Sequence, residues 1–380
     1  MKTHHTIIIA GAGGIAEAVA MILAEWSTVT PTIFIGNRTL SKAQDLVQWV
    51  TAGTSRDCSL KAFHLMEEGL SEEMKDVFKQ GDILLDCLPG TQAPKMAGFA
   101  KEYGMHYANL TEYVAETDQI KELAKDAPTG FVLQTGLAPG YIDVLANHLF
   151  QAFCKEFRVT KVDTLEFKVG ALTKNAVAPH FYGFTWSPVG VATEYIKEAE
   201  VIRNYKKTNR PSLSERSTII INGITYEADL TSGGAADLPD ALGGKVESMD
   251  YKTLRFPGHY AWVEEQIKNI SDNDAPIAAL QQIMETQIPH VEEDQIILYA
   301  GVQGKDADGT LRRREIAKQI LPQKVGQHTL RAIQTTTAVP LIQAAQLLLE
   351  SKLKGVVLQS TIDPKSFLNG NFIVPVYGKV

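Results

Sequence analysis

Cysteine is scarce in this sequence. Cys58, Cys87 and Cys154 are the three cysteines among 380 residues, and they are widely and irregularly spaced. Three distant cysteines give neither a disulfide framework nor the paired spacing of a zinc site. We therefore expect reduced thiols, a cytoplasmic location and no metal centre.

An excess of basic residues is also lacking. The chain carries 37 Lys and Arg against 44 Asp and Glu, a formal net charge of −7. A nucleic-acid surface normally shows a basic excess, so we expect no nucleic-acid partner. No apolar stretch approaches the ~20 residues that span a bilayer. The first apolar run is too short for a signal peptide, and we expect no membrane partner.

What the sequence does contain is a short apolar run followed by a glycine-rich turn. Residues 7–10 are all apolar, as in a strand buried on both faces of a parallel sheet. A Gly-x-Gly-x-x-Ala pattern follows, with its candidate cofactor contacts at Gly11, Gly13, Gly14, Ile15 and Ala16. Such glycines permit the tight turn and close approach to a pyrophosphate, and the small alanine permits close helix packing. The pattern predicts dinucleotide binding at a helix N-terminus, where amides favour an anion.

The end of the second predicted strand bears on the choice of cofactor. Residues 32–36 are rich in β-formers and lead into Asn37 and Arg38. An acidic residue here would bind the ribose 2′-hydroxyl and repel a 2′-phosphate. Asn37 removes that repulsion, and Arg38 can pair with the phosphate or stack on adenine. We expect NADP(H), with NAD(H) as the alternative; Arg38 could also be an ordinary solvated charge.

Strands and helices alternate over the first 150 residues. Helices are predicted over 40–50 and 67–79, and strands over 58–65, 82–88, 106–110 and 130–134. This alternation indicates an α/β fold with a doubly wound parallel sheet, in which ligands bind at the carboxyl ends of the strands. The residues at or shortly after those strand ends are therefore candidates for cofactor or substrate contact, namely Leu88, Pro89, Gly90, Asn109, Thr111, Glu112, Pro139 and Gly140.

The pattern changes in the second half of the chain. Residues 162–169 alternate, residues 219–226 predict a hairpin around Asn222 and Gly223, and 252–256 is another β-like run. These features predict a second domain built on a mixed or antiparallel sheet. Residues 332–353 predict a long helix interrupted near Pro340.

In their order and spacing, several motifs resemble the saccharopine dehydrogenase family in its broad sense, most of all its lysine 6-dehydrogenase-like and saccharopine reductase-like branch. Among them are Gly11-Ala-Gly-Gly-Ile-Ala16, Cys87-Leu-Pro-Gly90, Gly136-Leu-Ala-Pro-Gly140, Trp186-Ser-Pro188 and Thr253-Leu-Arg-Phe-Pro-Gly-His259. The similarity to that branch rests on Phe184-Thr-Trp-Ser-Pro188 followed by Ile202-Arg-Asn204. The resemblance implies a Rossmann-type domain over 1–140 completed by 330–380. It also implies an inserted α+β domain over 141–329 that binds substrate and forms a homodimer.

The resemblance further implies NAD(P)-dependent hydride transfer at a C–N bond of an amino acid or of an amino-acid-derived secondary amine. Two alternatives remain open: a carboxynorspermidine-type imine reductase, and a non-catalytic NADP(H)-binding regulator. The second rests on Asn109, because the family commonly has an aspartate there and an amide cannot act as a general base.

The same resemblance suggests roles for further residues. Arg255 matches the arginine that binds a substrate carboxylate in saccharopine reductases, a task that suits a guanidinium fork. Trp186 could pack against the substrate or lie in the core. Asp143 could contact the substrate or merely stabilise the start of a helix. His259, titrating near neutrality, is the first candidate for proton transfer. His180 and Glu112 are the others.

Overall fold

The computed structural model describes residues 4–111, 113–271, 275–350 and 353–380. The chain divides into two compact units. Unit 1 comprises Met1–Tyr141, Gln323–Leu330 and Gln334–Val380, and unit 2 comprises Ile142–Pro322 and Arg331–Ile333. Within the described ranges, no helix is both long enough and apolar enough to cross a membrane.

The strands of the described chain are, in order, β1 (Thr6–Ala10), β2 (Thr32–Asn37), β3 (Ser59–His64), β4 (Ile83–Asp86), β5 (His106–Asn109), β6 (Gly130–Val132), β7 (Val162–Thr173), β8 (Ala199–Arg203), β9 (Lys206–Arg210), β10 (Ser217–Ile221), β11 (Ile224–Leu230), β12 (Val246–Arg255), β13 (Asp294–Lys305), β14 (Leu311–Ile320), β15 (Gln323–Val325), β16 (His328–Leu330) and β17 (Gly355–Val357).

The helices of the described chain are α1 (Gly14–Trp26), α2 (Leu40–Gly53), α3 (Glu72–Gln80), α4 (Ala93–Glu102), α5 (Val114–Ala124), α6 (Tyr141–Phe157), α7 (Pro188–Ile196), α8 (Leu238–Leu242), α9 (His259–Lys268), α10 (Pro276–Gln287), α11 (Ala332–Glu350), α12 (Pro364–Leu368) and α13 (Val374–Tyr377).

Unit 1 is built on a parallel sheet with the strand order β17-β6-β5-β4-β1-β2-β3. Ile8 and Ile9 of β1 are fully buried, as the uninterrupted apolar run predicts. The strand order reverses direction between β1 and β4, and ligands bind at the carboxyl ends of strands beside such a switch point. The predicted α/β class and doubly wound parallel sheet are confirmed.

Two local predictions in unit 1 need correction. Helix α3 begins at Glu72 and not at residue 67, because the Ser71 side chain accepts a hydrogen bond from the Met74 amide (3.1 Å) and caps the helix there. Helix α11 runs through Pro340 without interruption. A proline leaves the carbonyl four residues earlier without its helical donor, and the Tyr377 hydroxyl donates to that carbonyl, Thr336 O, at 2.6 Å.

Unit 2 contains a mixed sheet with the order β10-β11-β12-β7-β13-β14; β8 also pairs with β12, and β9 pairs with β8. Strands β12 and β7 are parallel, whereas the neighbouring pairs are antiparallel. The predicted mixed sheet is confirmed. So is the β10–β11 hairpin, whose turn residues Asn222 and Gly223 both have positive φ. A second core of aromatic side chains, among them Tyr182, Tyr195 and Tyr260, packs around α7, α9 and α10.

Candidate functional site

The glycine turn after β1 can be formed only by glycine at its first position. Gly11 has φ +115°, and a Cβ there would lie 3.0 Å from the Cys87 carbonyl oxygen. The Gly11 amide donates to Gly36 O (2.8 Å), and the Cys87 amide donates to Ala10 O (2.9 Å). The turn is therefore held between β2 and the end of β4, with no room for a side chain.

The N-terminus of α1 has the features of an anion site. Gly13 occupies the N-cap position, and a Cβ on it would meet no described atom within 4 Å. Ala16 is buried, as expected for close packing of α1, while Gly14 and Ile15 are partly exposed beside the open space. Unpaired amides in the first turn of a helix bind phosphate groups. The residues present thus fit the pyrophosphate of a dinucleotide.

A side chain from α11 supports this turn from within unit 1. The Gln334 amide group donates to Gly14 O at 2.8 Å, and it lies 3.4 Å from Glu17 Oε2. Gln334 is buried, so this contact fixes the start of α1. Sequence reasoning missed it, because the partners are more than 300 residues apart.

Asn37 is the last residue of β2, and Arg38 follows it at the carboxyl end of the strand. The Asn37 amide group donates to Thr39 O (3.0 Å). Arg38 Nη1 donates to Glu67 Oε1 at 2.6 Å, and the two side chains are 73% and 67% exposed. Arg38 is therefore an exposed cation that pairs with the Glu67 carboxylate. A 2′-phosphate would have to displace Glu67 in order to bind Arg38.

The loop after β4 carries Leu88, Pro89 and Gly90. The Leu88 amide donates to Asp86 Oδ1 (3.0 Å), and a Cβ on Gly90 would lie 2.2 Å from Thr111 Oγ1. The ends of β4 and β5 are thus in direct contact. Pro89 is exposed at the tip of the loop, where a ligand could reach it.

Beneath this loop lies a buried carboxylate that sequence reasoning overlooked. Asp86 Oδ2 accepts a hydrogen bond from the Tyr107 hydroxyl (2.8 Å). Burial raises the pKa of Asp86 to about 6, because its effect exceeds that of the hydrogen bonds from Leu88 and Tyr107, which lower the pKa. An aspartate within an apolar strand run, followed by Cys-Leu-Pro-Gly, was the available signal.

The end of β5 provides Asn109 and Thr111, while Glu112 lies outside the described residues. Asn109 is buried, and its Oδ1 accepts from the Gln134 amide at 2.9 Å. Asn109 thus joins the ends of β5 and β6. Thr111 is buried as well and accepts from the Tyr113 amide (3.3 Å).

The loop from Gly136 to Gly140 closes on itself. The Gly136 amide donates to Pro139 O (2.9 Å), and the Tyr141 amide donates to Gly136 O (2.8 Å). Gly140 has φ +134°, and a Cβ there would overlap Gly136 O at 2.2 Å. Pro139 and Gly140 therefore shape a compact turn at the same strand edge as the β4 and β5 loops.

Asp143 lies in unit 2, two residues after Tyr141 in the first turn of α6. It is fully buried. Burial, and then the charges of Glu194 and Asp143, raise the pKa of Tyr251. Asp143 therefore lies within electrostatic reach of Tyr251, a buried residue of β12.

Arg255, at the end of β12, is the largest fully buried side chain of the described protein. Its Nε donates to the Tyr195 hydroxyl (2.7 Å), and its Nη1 donates to Leu254 O (3.0 Å). The guanidinium lies over the Tyr182 ring, 4.7 Å from its centre. Nη2 has no hydrogen-bond partner among the described residues, and Glu194 Oε2 is 3.9 Å away. A buried guanidinium with an unused donor suits a ligand carboxylate.

His259, the first residue of α9, extends this network. Its Nδ1 lies 2.6 Å from the His180 carbonyl oxygen, which can only accept, so Nδ1 carries the proton. Its Nε2 then accepts from the Tyr195 hydroxyl at 2.9 Å. Burial, and next the charge of Arg255, lower the pKa of His259 to about 3. The expected titration near neutrality is therefore wrong, because the imidazole is enclosed beside a cation.

His180 and Trp186 lie at the border of the same aromatic core. His180 is buried, and its Nδ1 accepts from the Tyr182 amide (3.2 Å). Trp186 is partly buried and packs on α7, where a Cβ on Gly190 would lie 2.3 Å from its ring. His180, Arg255 and His259 thus share one network.

Sequence reasoning missed two residues that lie beside Arg255, a tyrosine and a glutamate. Tyr195 and Glu194 lie on α7, and their only signal was their position shortly after the Trp-Ser-Pro motif. Across the described ranges, no group of three or more His, Cys, Asp or Glu side chains could hold a metal ion.

This chain is similar to known protein families and solved structures along most of its length. The family model described as "Saccharopine dehydrogenase NADP binding domain" matches residues 7–133. The model described as "Saccharopine dehydrogenase C-terminal domain" matches residues 136–370. These matches confirm the resemblance predicted from the motifs.

Two solved structures share the fold. The apo saccharopine dehydrogenase (L-Glu forming) from Saccharomyces cerevisiae has a TM-score of 0.72 and 16% identity, with 95% of each chain covered. The homospermidine synthase from Legionella pneumophila, solved in complex with NAD, has a TM-score of 0.70 and 13% identity. That match covers 100% of this chain and 91% of the other.

Proposed function

Since this chain belongs to the saccharopine dehydrogenase family, whose members are NAD(P)-binding oxidoreductases, we propose that it transfers a hydride at a C–N bond of an amino acid or of an amino-acid-derived secondary amine. The observation that supports the amino-acid part is the buried Arg255 with its unused Nη2 donor. Glu194 Oε2, at 3.9 Å, is beyond hydrogen-bond distance of Nη2, and a substrate carboxylate can accept from that donor.

Unit 1 supplies the dinucleotide-binding part of this proposal. The turn at Gly11 and Gly13 and the start of α1 would hold the pyrophosphate, and Arg38 would hold a 2′-phosphate. When bound, the nicotinamide supplies hydride donation and acceptance. The protein contributes binding and orientation, and it must also hold the substrate in one position.

Unit 2 supplies the substrate part. Arg255 would bind the carboxylate, with Trp186 as a wall for the aliphatic chain. His259 Nε2 accepts a hydrogen bond from the Tyr195 hydroxyl. We therefore assign His259 a positioning role: it orients Tyr195, which in turn accepts from Arg255. His180 contributes its carbonyl, which fixes the tautomer of His259.

The first test is turnover with paired substrates. The purified protein is given NADP⁺ or NAD⁺ with L-lysine, saccharopine or cadaverine, and the reduced nicotinamide is followed by its near-ultraviolet absorbance. The reverse direction uses NADPH with amine and aldehyde mixtures, including a polyamine. We expect turnover of a substrate that carries a carboxylate and at least about tenfold slower turnover of its decarboxylated analogue, because Arg255 loses its partner.

The outcomes of this test distinguish the candidate functions from one another. Equal turnover of cadaverine and lysine would contradict the carboxylate role of Arg255. Turnover confined to the polyamine and aldehyde mixture would favour the carboxynorspermidine-type reductase. Tight dinucleotide binding with no turnover on any substrate would favour the regulator.

We also propose that NADP(H) is preferred over NAD(H) through Arg38. Substituting Arg38→Gln should weaken NADPH binding about fivefold and leave NADH binding unchanged, since an exposed charged contact contributes up to ~1 kcal/mol. Glu67→Gln should strengthen NADPH binding about twofold, because it removes the competing carboxylate that now pairs with Arg38. Fluorescence titration of both reduced cofactors measures these effects.

The matched control is Lys79→Gln, another exposed cation of unit 1 that pairs with a carboxylate, Asp76. It should change neither affinity. A wild-type preference for NADH, or a loss of NADH affinity in Arg38→Gln equal to that of NADPH, would contradict the 2′-phosphate role.

A further inference from the structure

Unit 1 contains a cavity of about 380 Å³ at the amino ends of its parallel strands. Its walls come from the start of β1, the end of α1 and the second half of α11. They include His5, Trp26, Gln346, Leu349, Glu350 and Phe372. The volume lies in the range of small-molecule sites, which begins at about 300 Å³.

This cavity is separate from the proposed dinucleotide site. The glycine turn follows the carboxyl end of β1, whereas His5 precedes its amino end. A five-residue strand spans about 16 Å. Helix α1 likewise begins at the glycine turn and presents its last residue, Trp26, to the cavity, and its 13 residues span about 20 Å.

The walls are fixed in place by hydrogen bonds within unit 1. The Thr32 amide donates to His5 O (3.0 Å), which ties the start of β1 to β2. The Phe372 amide donates to Gln343 Oε1 (3.2 Å), which ties the C-terminal segment to α11. The cavity is therefore a formed feature of the fold and not a gap beside a loose segment.

The lining of the cavity offers one unused buried acceptor and one acidic side chain. Gln346 Nε2 donates to Glu350 Oε1 (2.6 Å), and Gln346 Oε1 has no hydrogen-bond partner among the described residues. His5 Nδ1 is 3.6 Å from the carboxylate of Asp82. Of the described residues that line the cavity, none is lysine or arginine, and Glu350 is the one acidic side chain.

We propose that this cavity is a second ligand site, for a small amine with an apolar or aromatic body. Trp26, Leu349 and Phe372 would enclose the body, and an indole face also attracts an ammonium group. Glu350 and the Gln346 carbonyl oxygen would receive the ammonium protons. The Glu350 carboxylate also opposes an anion such as a phosphate or a carboxylate.

Three probes of similar shape test the proposal by calorimetry on the full chain: phenethylamine, phenethyl alcohol and phenylacetate. We expect phenethylamine to bind at least about tenfold more tightly than phenylacetate, with the alcohol between them. Glu350→Gln should weaken phenethylamine binding about threefold, as expected for an exposed charge. Leu349→Trp should fill the cavity and abolish binding.

The matched control is Glu102→Gln, an exposed carboxylate at the end of α4, which should leave phenethylamine binding unchanged. Arg255→Lys should also leave it unchanged, which separates this cavity from the substrate part proposed above. Failure of phenethylamine to bind, equal binding of all three probes, or full binding by Leu349→Trp would overturn the proposal. None of these outcomes depends on the proposed oxidoreductase activity.

Discussion

Replacing Gly13 by alanine is expected to weaken NADPH binding by at least about fivefold while the protein stays folded. Gly13 has φ −97° and ψ −177°, which any residue can adopt, and a Cβ there meets no described atom within 4 Å. The added methyl group would lie in the open space in front of the first amides of α1. Displacing a closely packed ligand by one methyl group costs ~1–3 kcal/mol. Fluorescence titration with NADPH measures the loss.

The matched control is Gly98→Ala, within α4. A Cβ on Gly98 would lie 4.0 Å from Leu123 Cδ1, an ordinary contact, so this change should raise helix stability by up to ~1 kcal/mol and leave NADPH binding unaltered. Thermal melting shows whether both variants are folded. Wild-type NADPH affinity in Gly13→Ala would show that the turn is structural only. Gly11→Ala is less informative, because its positive φ would strain the fold itself.

Unit 1 was largely predictable because its signals are local. Within about twenty consecutive residues the sequence contains an apolar run, a glycine turn and the start of a helix. Each of these features limits the conformation of the segment that follows it. The same holds for the β10–β11 hairpin, whose turn needs two residues with positive φ. Patterns of this kind specify a parallel sheet in unit 1 and a mixed sheet in unit 2 without any knowledge of distant contacts.

The contacts that define the candidate site were not predictable, because they join distant parts of the chain. Tyr195 and His259 are 64 residues apart, and Arg38 and Glu67 are 29 apart. No pattern within either segment indicates its partner. The His259 pKa illustrates the consequence: a histidine after a Phe-Pro-Gly turn looks exposed, yet it folds into a closed network beside Arg255.

The second large effect is expected for Arg255→Lys. Lysine keeps the charge but loses the fork that donates from Nε to Tyr195 and offers Nη2 to a ligand. We expect the KM for a carboxylate-bearing substrate to rise at least about thirtyfold, since breaking a buried charged pair costs ~2 kcal/mol or more. The Kd for NADPH should stay unchanged, because the proposed dinucleotide contacts belong to unit 1. Steady-state kinetics and a parallel NADPH titration measure the two quantities.

Two further variants test the same prediction in case the Arg255→Lys protein does not fold. Tyr195→Phe removes the acceptor of Nε and the donor to His259 Nε2 but leaves Arg255 in place, so its KM should rise less, by about tenfold. Arg314→Lys, the control, changes an exposed arginine of unit 2 that pairs with Glu156, and it should behave as wild type. An unchanged KM in a folded Arg255→Lys protein would mean that the buried guanidinium serves the aromatic core alone. The substrate carboxylate would then need another partner.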